Sequence, residues 1–154
     1  MKILSKVASA MILSTGLLMA SSYSVDNAHS NVGFTEKHMM VTNVHGKFTS
    51  YDAKVEFDDA TKTFKKLVAN IDTNSIDTGI EKRDNHLRSD DFFAVEKFPK
   101  MTFEMISYKA DGDDGKMTGN LTIRGITKPV VLEVEDIAIL GDKVGFSIEG
   151  KINR

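Results

Sequence analysis

Ile80-Glu81-Lys82-Arg83-Asp84-Asn85-His86-Leu87-Arg88-Ser89-Asp90-Asp91-Phe92-Phe93 is the one segment after the N-terminal leader that reads as a helix, and the chain on either side of it alternates like sheet. Leu87 lies seven residues after Ile80, and Asp84 and Arg88 lie four apart, so an apolar edge and a charged face share one short helix. Thr78 is placed to cap it, with Glu81 three residues on completing a capping box. Phe92 and Phe93 bring the chain back toward a core, and Phe98-Pro99 ends the segment because proline neither donates to a ladder nor continues a helix.

Working outward, Tyr23 to His38 reads as a half-buried strand with Val32 and Phe34 on one face. Met39 to Asn43 reads as a connection, and Val44 to Phe57 as a second strand with Ala53, Val55 and Phe57 in phase. Asp58 to Thr61 is a turn, Thr63 to Asp72 a third strand, and Asn74 to Gly79 a polar link to the helix. Beyond the helix, Lys100 to Lys109 alternates with Met101, Phe103 and Met105 on one face. Asp111 to Gly115 has hairpin-turn composition. Met117, Leu121 and Ile123 form the next apolar face, and Arg124 to Pro129 reads as a connection. Val130, Leu132 and Val134 are even-numbered whereas Ile137 and Ile139 are odd, which predicts a β-bulge near Glu135-Asp136. Gly141-Asp142 turns the chain into a last strand with Val144, Phe146 and Ile148. About eight meandering strands and one helix predict a closed or nearly closed antiparallel barrel, since closure removes exposed edges.

The length supports one domain. A net charge of −2, with 27% charged and 41% hydrophobic residues, gives no basic face for nucleic acid. The absence of cysteine excludes disulfides, thiolate chemistry and Cys-based metal sites. Met1 to Ser22 reads as a signal peptide: Lys2 and Lys6 precede an uncharged run from Val7 to Ala20, and Ala20-Ser21-Ser22 offers small residues before a cut at Tyr23. The expected mature domain is therefore 23–154, exported to a periplasm, with no membrane span.

Chemical motifs are sparse. His29, His38, His45 and His86 lack metal-ligand spacing, and Asp111 to Gly115 lacks the spacer and closing glutamate of a calcium loop. No nucleophile elbow, phosphate loop or dinucleotide fingerprint occurs. Neither a cofactor nor a metal is expected. Arg83, Asp84 and His86 form the least ordinary cluster. It reads either as an ion-pair and capping network or as a polar mouth for a ligand's head group, where arginine's planar fork is apt. The phenylalanines and Met101, Met105 and Met117 either fill a core or line an elongated apolar pocket.

The order of motifs resembles the YceI-like family of lipocalin-like, polyisoprenoid-binding periplasmic proteins. The resemblance rests on Tyr23-Ser24-Val25-Asp26-Asn27-Ala28-His29-Ser30, on Val32, Phe34 and His38, and on Gly46-Lys47-Phe48. It continues through Ser75-Ile76-Asp77-Thr78, Arg83-Asp84 with His86-Leu87, Ser89, Asp91-Phe92-Phe93, and Phe98-Pro99 with Met101 and Phe103. Gly119 to Val130 and Gly145-Phe146 complete it. The resemblance implies a lipocalin-like antiparallel barrel with an apolar cavity for an isoprenoid or similar long-chain amphiphile. It also implies binding or carriage without a catalytic step, and homodimers in some members.

On that reading Val32, Phe34, Phe57, Ile71, Phe103, Leu121, Ile123 and Phe146 are wall candidates. His38, Arg83, His86 and Arg124 are rim candidates, and Leu87, Phe92 and Phe93 lie over the ligand's tail. The competing readings are a hydrolase or metal-dependent enzyme using His86 with Asp84 or Asp91, and a filled barrel serving protein interaction. Family members continue past the position of Arg154 with a further strand, so the segment from Phe146 to Asn153 is expected beside a gap or free edge.

Overall fold

A computed structural model describes residues 20–38 and 41–152, with ten strands and one α-helix among them. The strands are β1 (Ala20–Ser24), β2 (Val32–His38), β3 (Thr42–Phe48), β4 (Tyr51–Asp58), β5 (Thr63–Asp72), β6 (Ile76–Asp77), β7 (Lys100–Asp111), β8 (Asp114–Ile123), β9 (Ile126–Leu140) and β10 (Lys143–Glu149); the helix α1 is Glu81–Arg88. The large sheet runs β1-β4-β5-β7-β8-β9-β10, antiparallel throughout, and a small sheet runs β2-β3-β6.

Two expected long strands are each split between the sheets. A 3-10 turn at Asn27–His29 separates β1 from β2, capped by Asp26, whose carboxylate accepts from the Ala28 N–H at 3.1 Å. The Val44–Phe57 run breaks at Thr49-Ser50. There the Ser75 hydroxyl accepts from both backbone N–H groups, at 3.1 and 3.0 Å, so the chain can leave one ladder for the other with its donors satisfied. Three connections are also corrected. β3 already begins at Thr42, and the Asn74–Gly79 link contains β6, paired to Lys47 and Phe48. Arg124 and Gly125, at φ +50° and +73°, make a two-residue hairpin turn of the kind that suits strand twist, so β9 starts at Ile126 and includes Pro129.

Curvature comes from bulges. Phe57 pairs with Phe64 while Glu56 pairs with Lys66, which leaves Lys65 extra in β5. Ile106 is extra in β7 in the same way. In β9 the predicted bulge is present opposite Phe146, with Asp136 at φ +57°. Each extra residue bends its strand and increases its twist, and the sheet curls into a half-barrel. The curl brings the β9–β10 turn toward β1, where Asp142 and Lys143 exert charge effects on Tyr23 and Asp26.

The half-barrel is open. Among the described residues β10 pairs only with β9, and β1 only with β4. The expected edge at the last strand is therefore present over Lys143–Glu149; Asn153 lies outside the described residues. β1 begins three residues before the expected cleavage point, with Ala20, Ser21 and Ser22 paired to Asp58, Phe57 and Glu56. Residues 1–19, which hold the rest of the expected leader, lie outside the described residues, as do Met39 and Met40 in the β2–β3 connection.

Two apolar clusters fill the concave side. The first contains Val55, Phe57, Phe64, Leu67, Phe103, Met117, Val134 and Ile137. Phe64 stands at its centre, with ring centroids 4.9 Å from Phe57 and 5.0 Å from both Tyr108 and Phe146. The second cluster joins Phe48, Ile76, Ile71 and Met101, and so ties the small sheet to one end of the large one.

Candidate functional site

Helix α1 is held by its polar side chains, not by apolar burial alone. Ile80 occupies the N-cap and makes no side-chain cap hydrogen bond. In place of the expected Thr78–Glu81 capping box, the Thr78 backbone N–H and hydroxyl both donate to buried Asp84, at 2.9 and 2.5 Å. Arg83 donates through Nε to the Thr78 hydroxyl (2.8 Å) and through Nη2 to its carbonyl (2.9 Å). Arg88 donates to the carbonyls of Asn74 and Ile76, each at 3.0 Å. Both arginine forks thus fix the helix to the Asn74–Thr78 segment, as bidentate guanidinium geometry allows.

That attachment sets Leu87 and Phe93 against the second cluster, the Phe93 ring meeting Phe48 edge-on at 5.9 Å. Leu87, Phe93, Val32, Phe34, Leu121 and Ile123 remain only partly buried there. Leu121 also packs on the first cluster, beside half-buried Val130, Leu132, Val144 and Ile148. The result is an apolar trough running from the β9–β10 edge along β8 to the helix. From Met117 to Ile123 β8 alone spans about 20 Å. Some rings lie down along the strands: a Cβ on Gly119 would overlap the Phe103 ring, and one on Gly46 the Phe34 ring.

The wall candidates divide by depth. Phe57 is fully buried, and Phe103 and Ile71 nearly so, which makes them the floor beneath the trough. Val32, Phe34, Leu121, Ile123, Leu87 and Phe93 line its surface, while Phe146 is 37% exposed at the open edge. Sequence reasoning left out Phe64, Val130, Leu132, Val144 and Ile148. Val144 and Ile148 share the alternation of chosen Phe146, and Val130 and Leu132 that of buried Val134, so strand phase could have found these four.

The rim candidates divide too. Arg83 is committed to Thr78. His86 and Arg124 meet around Phe92: the imidazole sits edge-on to the ring at 4.9 Å, and Arg124 Nη1 donates to the Phe92 carbonyl at 2.9 Å. Asp91 completes this exposed polar edge, 3.4 Å from His86 Nε2. The His38 side chain lies outside the described residues. Asp84, the other acid considered for an enzymatic pairing with His86, is taken up by Thr78. Clefts of about 460 and 330 Å³ lie elsewhere, the first lined by Asn74, Asn85, Arg88 and Ser89 among others, the second by Tyr23, Lys54 and Lys66 among others. Among the described residues no three His, Asp or Glu side chains gather as metal ligands would, and no helix is long and apolar enough to cross a membrane.

A curled antiparallel sheet with an apolar concave face, one end covered by a single pinned helix, defines a lipocalin-like β-barrel protein. The comparisons agree with that class. Residues 23–154 match the YceI-like domain, and the chain belongs to that family. It is 39% identical over 149 residues to Protein YceI of Salmonella newport, covering 92% of this chain and 78% of the relative. The crystal structure of the Campylobacter jejuni YCEI protein superposes with a TM-score of 0.70 at 47% identity, covering 84% of this chain and 80% of that one. Burkholderia cenocepacia BcnA superposes at 0.72 with 28% identity, covering 79% and 76%.

Proposed function

We propose that this protein binds or carries an isoprenoid or another long-chain, lipid-like amphiphile outside the cytoplasm, after removal of its leader, with no catalytic step. The observation that carries this reading is the run of partly buried apolar side chains that passes through Leu121, from β9 and β10 to the helix. An extended chain lying there removes methylenes from water at about 0.8 kcal/mol each, without needing polar partners. His86 and Arg124 stand at the helix end, where an amphiphile's head group would emerge. The deep core is already filled by Phe57, Phe64 and Met117, so the ligand lies along the trough and not inside a sealed cavity.

Native mass spectrometry of gently purified protein, followed by lipid extraction, tests this. The expected result is a bound species of prenyl or long-acyl character. Repeated preparations that carry no lipid, and that take up none from host envelope extracts, would overturn it. Peptide mapping of exported protein checks the location: an N-terminus at or near Tyr23 is expected.

A further inference from the structure

The cross-strand pairs of β8 and β9 alternate between the trough and the outer face, and the inward set runs from Gly115 with Val134 to Ile123 with Ile126. Every residue of that inward set is apolar or glycine except Lys128, which stands opposite Leu121. We propose that Lys128 is a head-group contact of the trough, and that the ligand therefore carries an anionic head, a carboxylate or a phosphate ester. This inference rests on the reading of the trough as an amphiphile site and names the class of amphiphile.

The facing of Lys128 is fixed twice over. Its partner Leu121 packs on both apolar clusters, and residues directly opposite on neighbouring strands share a face. On its own strand Lys128 is in phase with Val130 and Leu132, both packed on the first cluster. The outer face shows how this hairpin otherwise places its charges: Lys116 stands opposite Glu133 there. Lys128 has an apolar residue across from it, and among the described residues it makes no ion pair. A charge inside an alternating apolar face breaks the pattern that the rest of the hairpin keeps, and sequences break such patterns chiefly at functional sites.

Lys128 is exposed and Leu121 is partly buried. A lysine so placed covers apolar surface with its stem and keeps its ammonium at the water boundary. A ligand's tail can then lie on Leu121, Val130 and Leu132 while its head meets the ammonium. Arg124, at the turn of the same hairpin, is fastened to the Phe92 carbonyl. Lys128 is the more mobile cation, and a point charge on a flexible stem suits a carboxylate and a phosphate alike.

Displacement of a neutral fluorescent probe, the methyl ester of cis-parinaric acid, tests the proposal, with palmitate, hexadecyl phosphate and hexadecanol as competitors of one chain length. An anionic competitor is expected to displace the probe at about tenfold lower concentration than hexadecanol. Palmitate in the lead assigns a carboxylate head, and hexadecyl phosphate in the lead a phosphate ester. Lys128→Met should abolish the preference for anions while the probe and hexadecanol bind at least as well as to wild type. Lys128→Arg should keep it. Circular dichroism checks the fold of each variant, and Lys128→Gln replaces Lys128→Met if the latter does not fold. Equal displacement by all three competitors, or a preference for anions that survives loss of the lysine, would overturn the proposal. Failure of the probe and of every competitor to bind would overturn the reading of the trough itself, and this proposal with it.

Discussion

The ring of Phe103 lies across Gly119 on the neighbouring strand, in space that any β-carbon there would occupy. Gly119→Ala should therefore cost about 1–3 kcal/mol through overpacking. Gly145→Ala, which meets no heavy atom closer than 4.0 Å, should stay within about 0.5 kcal/mol. Urea denaturation of the two variants checks the contrast.

Asp84 holds the start of the helix by accepting two hydrogen bonds from Thr78. Asp84→Ala leaves a backbone donor and a hydroxyl without their acceptor, for an expected loss of about 1–3 kcal/mol. Glu81→Ala removes only the residue that the capping-box pattern favoured, and should change stability by less than about 0.5 kcal/mol. Equal effects in thermal melts would show that Asp84 is not the anchor.

Leu121 joins the two clusters while staying partly exposed. Leu121→Lys places a charge in the middle of the trough, where its flexible stem can still reach water. Binding of a fluorescent long-chain amphiphile should fall at least about tenfold, while the far-ultraviolet circular dichroism keeps its β signature. Unchanged affinity would move the ligand elsewhere.

Tyr23 donates a hydrogen bond from its hydroxyl to Asp59 at 2.9 Å. Burial raises its pKa above the ordinary tyrosine value, and the bond to Asp59 raises it further. A raised folded pKa gives stability that is fully present below the unfolded value near 10 and is lost as pH rises through the folded value. Denaturation midpoints should therefore fall in strongly alkaline solution, and Tyr23→Phe should lose part of that dependence. Tyr108, raised by burial and then by Asp114, contributes with the same sign, so the difference between wild type and Tyr23→Phe isolates Tyr23.

Much of this fold is legible in the sequence where local pattern and pairing agree. Thr63–Asp72 is a strand with the expected bounds, and the phase change between Val134 and Ile137 marks the bulge found at Asp136. What could not be read is decided by pairing across the chain. Neither Val25 to Asn31 nor Thr49-Ser50 contains a glycine or proline to mark a stop, yet the chain changes sheet at both places, where Asp26 and Ser75 satisfy the backbone. Phe64 escapes the pattern because extra Lys65 reverses the inward parity set by Leu67, Ala69 and Ile71. At the candidate site, residue type marks the apolar surface but not its depth. Leu121 and Phe57 look alike in sequence, and only the curl of the sheet makes one the surface of a groove and the other its foundation. Arg83 likewise carries the chemistry of a head-group ligand, and the fold uses that chemistry to moor the helix.

Pro129 sits in β9 opposite Asn120, in the stretch from Ile126 to Leu132 that β10 does not reach. The hairpin turn at Arg124-Gly125 sets the parity of the strand, so residue 129 faces away from β8, on the unpaired side. Proline has no N–H to offer there. Any strand laid along that side of β9 would therefore meet a missing rung at residue 129, so a single imino acid interrupts the ladder there.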